Sequence, residues 1–376
     1  MSRVVSRGRW IVAAIVLLTV WLGDGVLADH RTPISEGFGA EGPYQVRLDH
    51  FPSPLYRSAE VRVFRPAELN RKTPVIFFVP GYSNNNPDKY RGLITHMVSR
   101  GYAVVFTPYH LISGDLTLNE KRYEAIWEGM REAVVRYGES FDLERVGFVG
   151  HSYGAGAIFA MSLRGLEREG WGRQGLMLFS MAPWYHFQLQ PRDYQNFPAH
   201  AKLVIQVYED DKVNDHRLGR ELFERINLPL SEKDFMMVRG DRFGEARIDA
   251  GHGAPESRET VDAIDYYAIY RVFDALSSYA FTGDEAGRLI ALGNGGGAQR
   301  YMGRWANGQP IREMLTGDCV GITRSPMSFL FPSLAGAGRE SRWFSRLLFP
   351  GREENDGSAA TDSPRGEAGP NCAPAK

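Results

Sequence analysis

Gly150-His151-Ser152-Tyr153-Gly154 stands between the apolar run Val146 to Val149 and a stretch of small residues that opens with Ala155. A buried strand, a tight turn and a helix in that order lift a serine onto a sharp elbow and aim its hydroxyl into a cleft. Glycines at positions 150 and 154 leave room for the strand and helix to approach closely. The chemistry that suits this arrangement is nucleophilic attack by Ser152 on an acyl carbon.

A serine hydroxyl is a weak nucleophile, so it needs a base to take its proton and an acid to orient and support that base. Behind an elbow of this kind the partners follow in the chain order Ser, Asp or Glu, His. The run Leu203-Val204-Ile205-Gln206-Val207 ends in Tyr208-Glu209-Asp210-Asp211, which puts acids at the carboxyl end of a strand. Asp211 is the expected orienting acid and Asp210 the alternative, since at least one of the three acids belongs to a solvated turn or helix cap. His252, in Asp249-Ala250-Gly251-His252-Gly253, follows a last strand at Phe235 to Val238 and precedes a final helix, which makes it the expected base. His151 adjoins the serine and His110 precedes it, so both fit the role less well. Attack leaves a negative oxygen that needs preorganised donors. The amide after the nucleophile, Tyr153, and the amide of Tyr82, which follows Pro80-Gly81, are the expected pair.

The elements that must hold these residues are legible as periodicity. From about Tyr44 to Tyr279 short β-branched and aromatic runs alternate with longer segments of helical period, as in a largely parallel sheet covered on both faces. Val75 to Val79, Ala103 to Thr107, Val146 to Gly150, Leu176 to Ser180 and Leu203 to Val207 are continuous apolar runs that fit central strands. Tyr44 to Leu48 and Val61 to Phe64 alternate more and fit outer strands. Tyr123, Ile126, Trp127, Met130, Val134 and Tyr137 form one helical stripe. A second helix opens at Pro87, and a last one is expected over about Glu259 to Tyr279. Some 20 residues separate the strand ending near Met181 from that at Leu203, too few for a helical cap, so an open cleft lined by Tyr82, Tyr153, Trp184 and Tyr185 is expected. From Gly293, Gly-Asn-Gly-Gly-Gly-Ala-Gln has the composition of a linker, and Tyr301 to Val320 that of a small hairpin turning at Asn307-Gly308.

Taken together the motifs resemble the bacterial polyester hydrolases and cutinases, within the wider dienelactone-hydrolase and lipase-like group. The shared segments are Gly42-Pro43-Tyr44, Pro80-Gly81-Tyr82, the elbow at Gly150 to Gly154, Ala182-Pro183-Trp184 and Glu209 to Asp211. The resemblance covers about two thirds of the chain. It implies the α/β-hydrolase fold, favours Asp211 over Asp210, suggests Trp184 as a substrate-contacting aromatic, and implies ester hydrolysis with no metal or organic cofactor. His151 and Tyr153 stand where those enzymes commonly carry Trp and Met.

Composition narrows the alternatives. Lys and Arg number 44 against 45 Asp and Glu, with no long run of one sign, so nothing resembles an electrostatic footprint for nucleic acid. No Cys-x-x-Cys or His-x-x-x-His spacing occurs, and no metal is expected. Cys319 and Cys372 are the two cysteines; in an oxidising compartment they either pair or stay as two thiols. Arg3, Arg7 and Arg9 precede an apolar run from Trp10 to Leu22 and a small-residue site at Val26-Leu27-Ala28. This has the layout of an export signal cleaved after Ala28; the alternative is an uncleaved anchor, although the run is short of the ~20 residues that span a bilayer. The expected organisation is therefore a signal over 1–28, an α/β-hydrolase catalytic domain over 29–285, a C-terminal extension over 286–350 and a disordered tail over 351–376, which lacks Leu, Ile, Val and aromatics. Trp343 to Phe349, with Arg339 and Arg342 before it, suits either peripheral contact with a membrane surface or packing on the main domain. The expected partner is a small or lipid-like ester. A lipase, thioesterase, peptidase or acyltransferase would use the same three residues, and a non-catalytic binding protein on the same fold is the rival of another class.

Overall fold

The computed structural model describes residues 33–82, 84–109, 118–256 and 261–321. His110, the signal segment, the stretch Trp343 to Phe349 and the tail lie outside them.

Among the described residues the chain is a mixed α/β structure built on one nine-stranded, mostly parallel sheet. The strands are β1 (Val46–Pro52), β2 (Glu60–Pro66), β3 (Thr73–Val79), β4 (Ala103–Phe106), β5 (Phe141–His151), β6 (Gly175–Met181), β7 (Lys202–Tyr208), β8 (Lys233–Val238) and β11 (Leu315–Thr316). They lie in the order β1-β2-β4-β3-β5-β6-β7-β8-β11. From β4 to β8 all neighbours run parallel, while β1, β2 and β11 join antiparallel at the edges. A two-stranded ribbon of β9 (Asp241–Phe243) and β10 (Ala246–Ile248) stands apart from the sheet.

Side chains alternate along each strand, so one sheet supplies two cores. Phe77, Phe148, Leu178 and Ile205 face a layer made by α2 (Asn119–Tyr137), α3 (Tyr153–Arg164) and α4 (His216–Arg225). Ile76, Phe78, Val149, Phe179 and Met236 face α1 (Arg91–Ser99) and α5 (Arg271–Thr282). A segment of wider π-type turns, Ile264–Tyr270, runs straight into α5. No helix among the described residues is long and apolar enough to cross a membrane.

The stretch after α5 departs from the expectation of a linker and an appendage. It forms α6 (Glu285–Ala291), then α7 (Gly297–Arg300), which occupies the glycine-rich segment. The reason is a distant partner: the buried Arg271 guanidinium donates to the carbonyls of Ala298, Gln299 and Tyr301 at 2.7, 3.2 and 2.6 Å. The expected turn forms, with Gly308 N–H donating to Trp305 O at 2.8 Å. Met302, Trp305, Ile311 and Met314 are buried in the same cluster as Ile248 and Ala250, on the approach to His252. At about 1.5–3 kcal/mol for each large apolar side chain removed from water, this packing makes the stretch part of the main core. Cys319 is disulfide-bonded, and Cys372 lies outside the described residues.

Candidate active site

β5 ends at His151 and α3 begins at Tyr153, leaving Ser152 alone at the turn with φ 54° and ψ −117°. A side chain at positive φ is strained, at a cost of order 1–3 kcal/mol, and persists only where its surroundings dictate it. Here they do: Ser152 N–H donates to Met181 O and its carbonyl accepts from Trp184 N–H, both at 2.9 Å, which ties the turn to the end of β6. The flanking glycines are required by space. A Cβ on Gly154 would lie 2.0 Å from the Val79 carbonyl oxygen, and one on Gly150 2.6 Å from the backbone of Gly154.

The three expected residues meet at the carboxyl ends of the parallel strands, where open α/β sheets place their ligands. Ser152 Oγ lies 3.0 Å from His252 Nε2, and His252 Nδ1 lies 2.8 Å from Asp211 Oδ2. A carboxylate only accepts, so the Nδ1 position carries the proton and Nε2 presents its lone pair to the serine hydroxyl. The other oxygen of Asp211 accepts from the amides of Val213 and Asn214 at 2.7 and 3.0 Å. Burial, the largest influence, pushes this carboxyl upward, but the hydrogen bond and charge of His252 and the two amides outweigh it. Asp211 is therefore held below the ordinary carboxylate range and stays ionised. Asp210 takes another role: its amide donates to Ala250 O at 2.9 Å, fastening the acid loop to the loop that carries His252.

Tyr153 contributes the first amide of α3, which no carbonyl of its own helix can reach. The Pro80-Gly81-Tyr82 turn closes on the serine from β3, and a Cβ on Gly81 would lie 3.4 Å from that of Ser152. Gly81 does not use its freedom to adopt positive φ; its missing side chain matters because His151, Tyr90 and Ser152 crowd it. Of the aromatics expected to line the cleft, Tyr82 is 38% exposed and Trp184 half-buried. The rings of Tyr153 and Tyr185 are instead buried. Tyr153 stacks on Tyr109 at 4.9 Å and donates to Asn119 Oδ1 at 3.1 Å, so it supports the site from within. Trp184 sets its ring against Tyr185 at 5.0 Å, edge to face.

One residue escaped the sequence pattern. Asn214 is buried, donates to Ala182 O at 2.6 Å, and brings its amide nitrogen within 3.5 Å of Ser152 Oγ. Ala182, the residue it holds, has φ 48° and so shares the strain of the elbow across β6. The available signal was position, three residues after Asp211 on the loop that leads into α4. Among the described residues no group of three or more His, Cys, Asp or Glu side chains converges as a metal site.

No protein-family profile and no curated protein matches the chain.

Proposed function

We propose that the chain is a serine hydrolase of the α/β-hydrolase fold that cleaves carboxylic esters through an acyl-enzyme. The observation that carries this reading is the unbroken relay from Asp211 through His252 to Ser152, at 2.8 and 3.0 Å. His252 takes the hydroxyl proton as Ser152 Oγ attacks the ester carbonyl carbon. The amides of Tyr153 and Tyr82 receive the resulting oxyanion, and Asp211 stabilises the charged imidazole. When the carbon–oxygen bond to the alcohol breaks, His252 returns the proton to the leaving oxygen. Water then repeats the sequence on the acyl-enzyme and releases the acid. The half-buried Trp184 and the exposed Tyr82 favour apolar or aromatic substrates. Residues 1–28 are the basis for placing this activity outside the cytoplasm.

Labelling with a fluorophosphonate, comparing the wild type with Ser152→Ala, tests the reading. Labelling that vanishes in the variant supports it, and a folded wild type that takes no label overturns it. A panel of p-nitrophenyl esters, thioesters and alcohol acceptors then separates esterase from thioesterase and acyltransferase.

A further inference from the structure

His151 precedes the serine and has no part in the proton relay, yet it is 1% exposed and both of its ring nitrogens are engaged. Its Nε2 lies 2.9 Å from the backbone carbonyl oxygen of His252. A carbonyl only accepts, so Nε2 carries the proton. Its Nδ1 lies 2.9 Å from the hydroxyl of Tyr90, and the same hydroxyl oxygen accepts the amide of Gly81 at 3.0 Å. With Nδ1 bare, the Tyr90 hydroxyl donates to it and each group in the line has its partner. The line runs from the backbone of the base, through two buried rings, to the residue before Tyr82.

Three further observations agree. Burial, and after it the nearby His252, lower the His151 pKa to about 3, which keeps the ring neutral. A second tie runs parallel to the first: Asn84, three residues beyond Gly81, donates its side-chain amide to Glu256, four residues beyond His252. The charged groups near the pair are Asp211, bonded to the neighbouring His252 ring, Glu256, 3.9 Å from His151 Nδ1, and Lys89, 3.6 Å from Glu256. Finally, a Cβ on Gly81 would press on His151 Nδ1 at 3.1 Å and on the Tyr90 hydroxyl at 3.3 Å, so loop and brace are packed together.

We propose that His151 and Tyr90 are positioning residues that lock the loop of the base and the loop of the oxyanion donor into one register. This rests on the serine-hydrolase reading above. The two loops leave the sheet at different strands, and catalysis needs His252 and the Tyr82 amide to meet the same tetrahedral intermediate together. A misplacement of about 1 Å at such a centre costs up to about 100-fold in rate.

The test uses the full chain with Tyr90→Phe, His151→Phe, His151→Gln and the Tyr90→Phe/His151→Phe double variant, assayed on p-nitrophenyl acetate. Tyr102→Phe, which loses a hydroxyl bonded to Ser277 far from the site, serves as the control. The single Phe variants should lose between about 10- and 100-fold in kcat with KM within about twofold. Their fluorophosphonate labelling should slow by the same factor but still reach completion. The double variant should be no slower than the worse single, since the residues act as one unit. His151→Gln, whose amide nitrogen reaches the place of Nε2, should recover part of the loss. In the wild type, nitrogen NMR should find His151 protonated at Nε2 alone from about pH 5 to about pH 9.

A brace variant whose kcat stays within twofold of the Tyr102→Phe control overturns the proposal, and so does a His151 ring that gains charge in that pH range. A folded wild type that takes no label removes the hydrolase reading and the brace together, an outcome distinct from full labelling with unchanged variants.

Discussion

Arg312 grips the carboxylate of Glu209 with both terminal guanidinium nitrogens, at 2.8 and 3.0 Å, two residues before Asp211. One of those nitrogens also donates to Gly240 O at 2.7 Å, and the Arg312 amide donates to Asp241 Oδ2 at 2.9 Å. The acid loop is thus anchored from outside the parallel core. Arg312→Met keeps most of the side chain's bulk and removes the fork. Because the pair is partly exposed, with side chains 40% and 31% accessible, the expected loss is about 1 kcal/mol. It should appear as a lower urea midpoint together with a several-fold fall in kcat.

The two neighbouring acids are separable by exchange to the amide. Asp211→Asn removes the carboxylate that fixes the His252 tautomer, and kcat should fall by about 10⁴-fold. Asp210 acts through its backbone, so Asp210→Asn should stay within a few-fold of wild type. Steady-state rates on a p-nitrophenyl ester decide this, and the opposite order would reassign the acid.

Asp234 gives stability a pH dependence remote from the site. Burial, its largest influence, raises the carboxyl from an ordinary 3.8 to about 6, even though Gln299 and the Phe235 amide donate to it. A carboxyl raised in the folded state binds its proton more tightly there than in the unfolded chain. Its contribution is fully present below about pH 4 and is lost as pH rises through about 6. Relative to Asp234→Asn, the wild type should therefore gain stability between about pH 7.5 and about pH 5, on the order of 1–3 kcal/mol. Urea titrations of both proteins at the two pH values measure this; a gap that does not move refutes it.

Gly154→Ala and Gly253→Ala should differ sharply. A methyl group at 154 collides with the Val79 carbonyl oxygen at 2.0 Å and must part α3 from β3, whereas one at 253, beside the base, meets nothing within 4 Å. The first should cost more than about 3 kcal/mol or prevent folding, and the second should melt within a degree or two of wild type. Thermal unfolding of the two variants checks both.

Central strands were legible because each is buried on both faces and so reads as an unbroken apolar run: Val75 to Val79 became β3 and Leu203 to Val207 became β7. Ser152, Asp211 and His252 were legible because parallel topology brings successive strand ends together, so chain order carries spatial meaning. What stayed hidden has physical reasons. α4 carries two inward leucines, Leu218 and Leu222, among charges, and signals itself mainly through the Asp215 cap, which accepts from Arg217 N–H. β9, β10 and β11 are two or three residues long, too short for any period. The glycine-rich run at 293 looked unstructured because its stabilising partner, Arg271, lies more than twenty residues upstream. Tyr153 and Tyr185 looked like cleft walls because sequence reports a ring but not the direction it faces.

The anchoring of the acid loop by Arg312, and of the sheet edge by β11, has a consequence for timing. Protein synthesis runs from the N-terminus, and all eight preceding strands of the sheet, with Ser152, Asp211 and His252 among their loops, leave the ribosome before Trp305, Arg312 and Leu315. A nascent chain that has emerged only as far as α5 holds Ser152, Asp211 and His252 and the contact of Arg239 with Glu209 at 3.6 Å, but lacks the two-pronged Arg312 grip on the same carboxylate. The bracing of the loop that carries Asp211 is thereby completed only after Arg312 has emerged, so the C-terminal stretch is the last to act on a site whose side chains are all encoded before it.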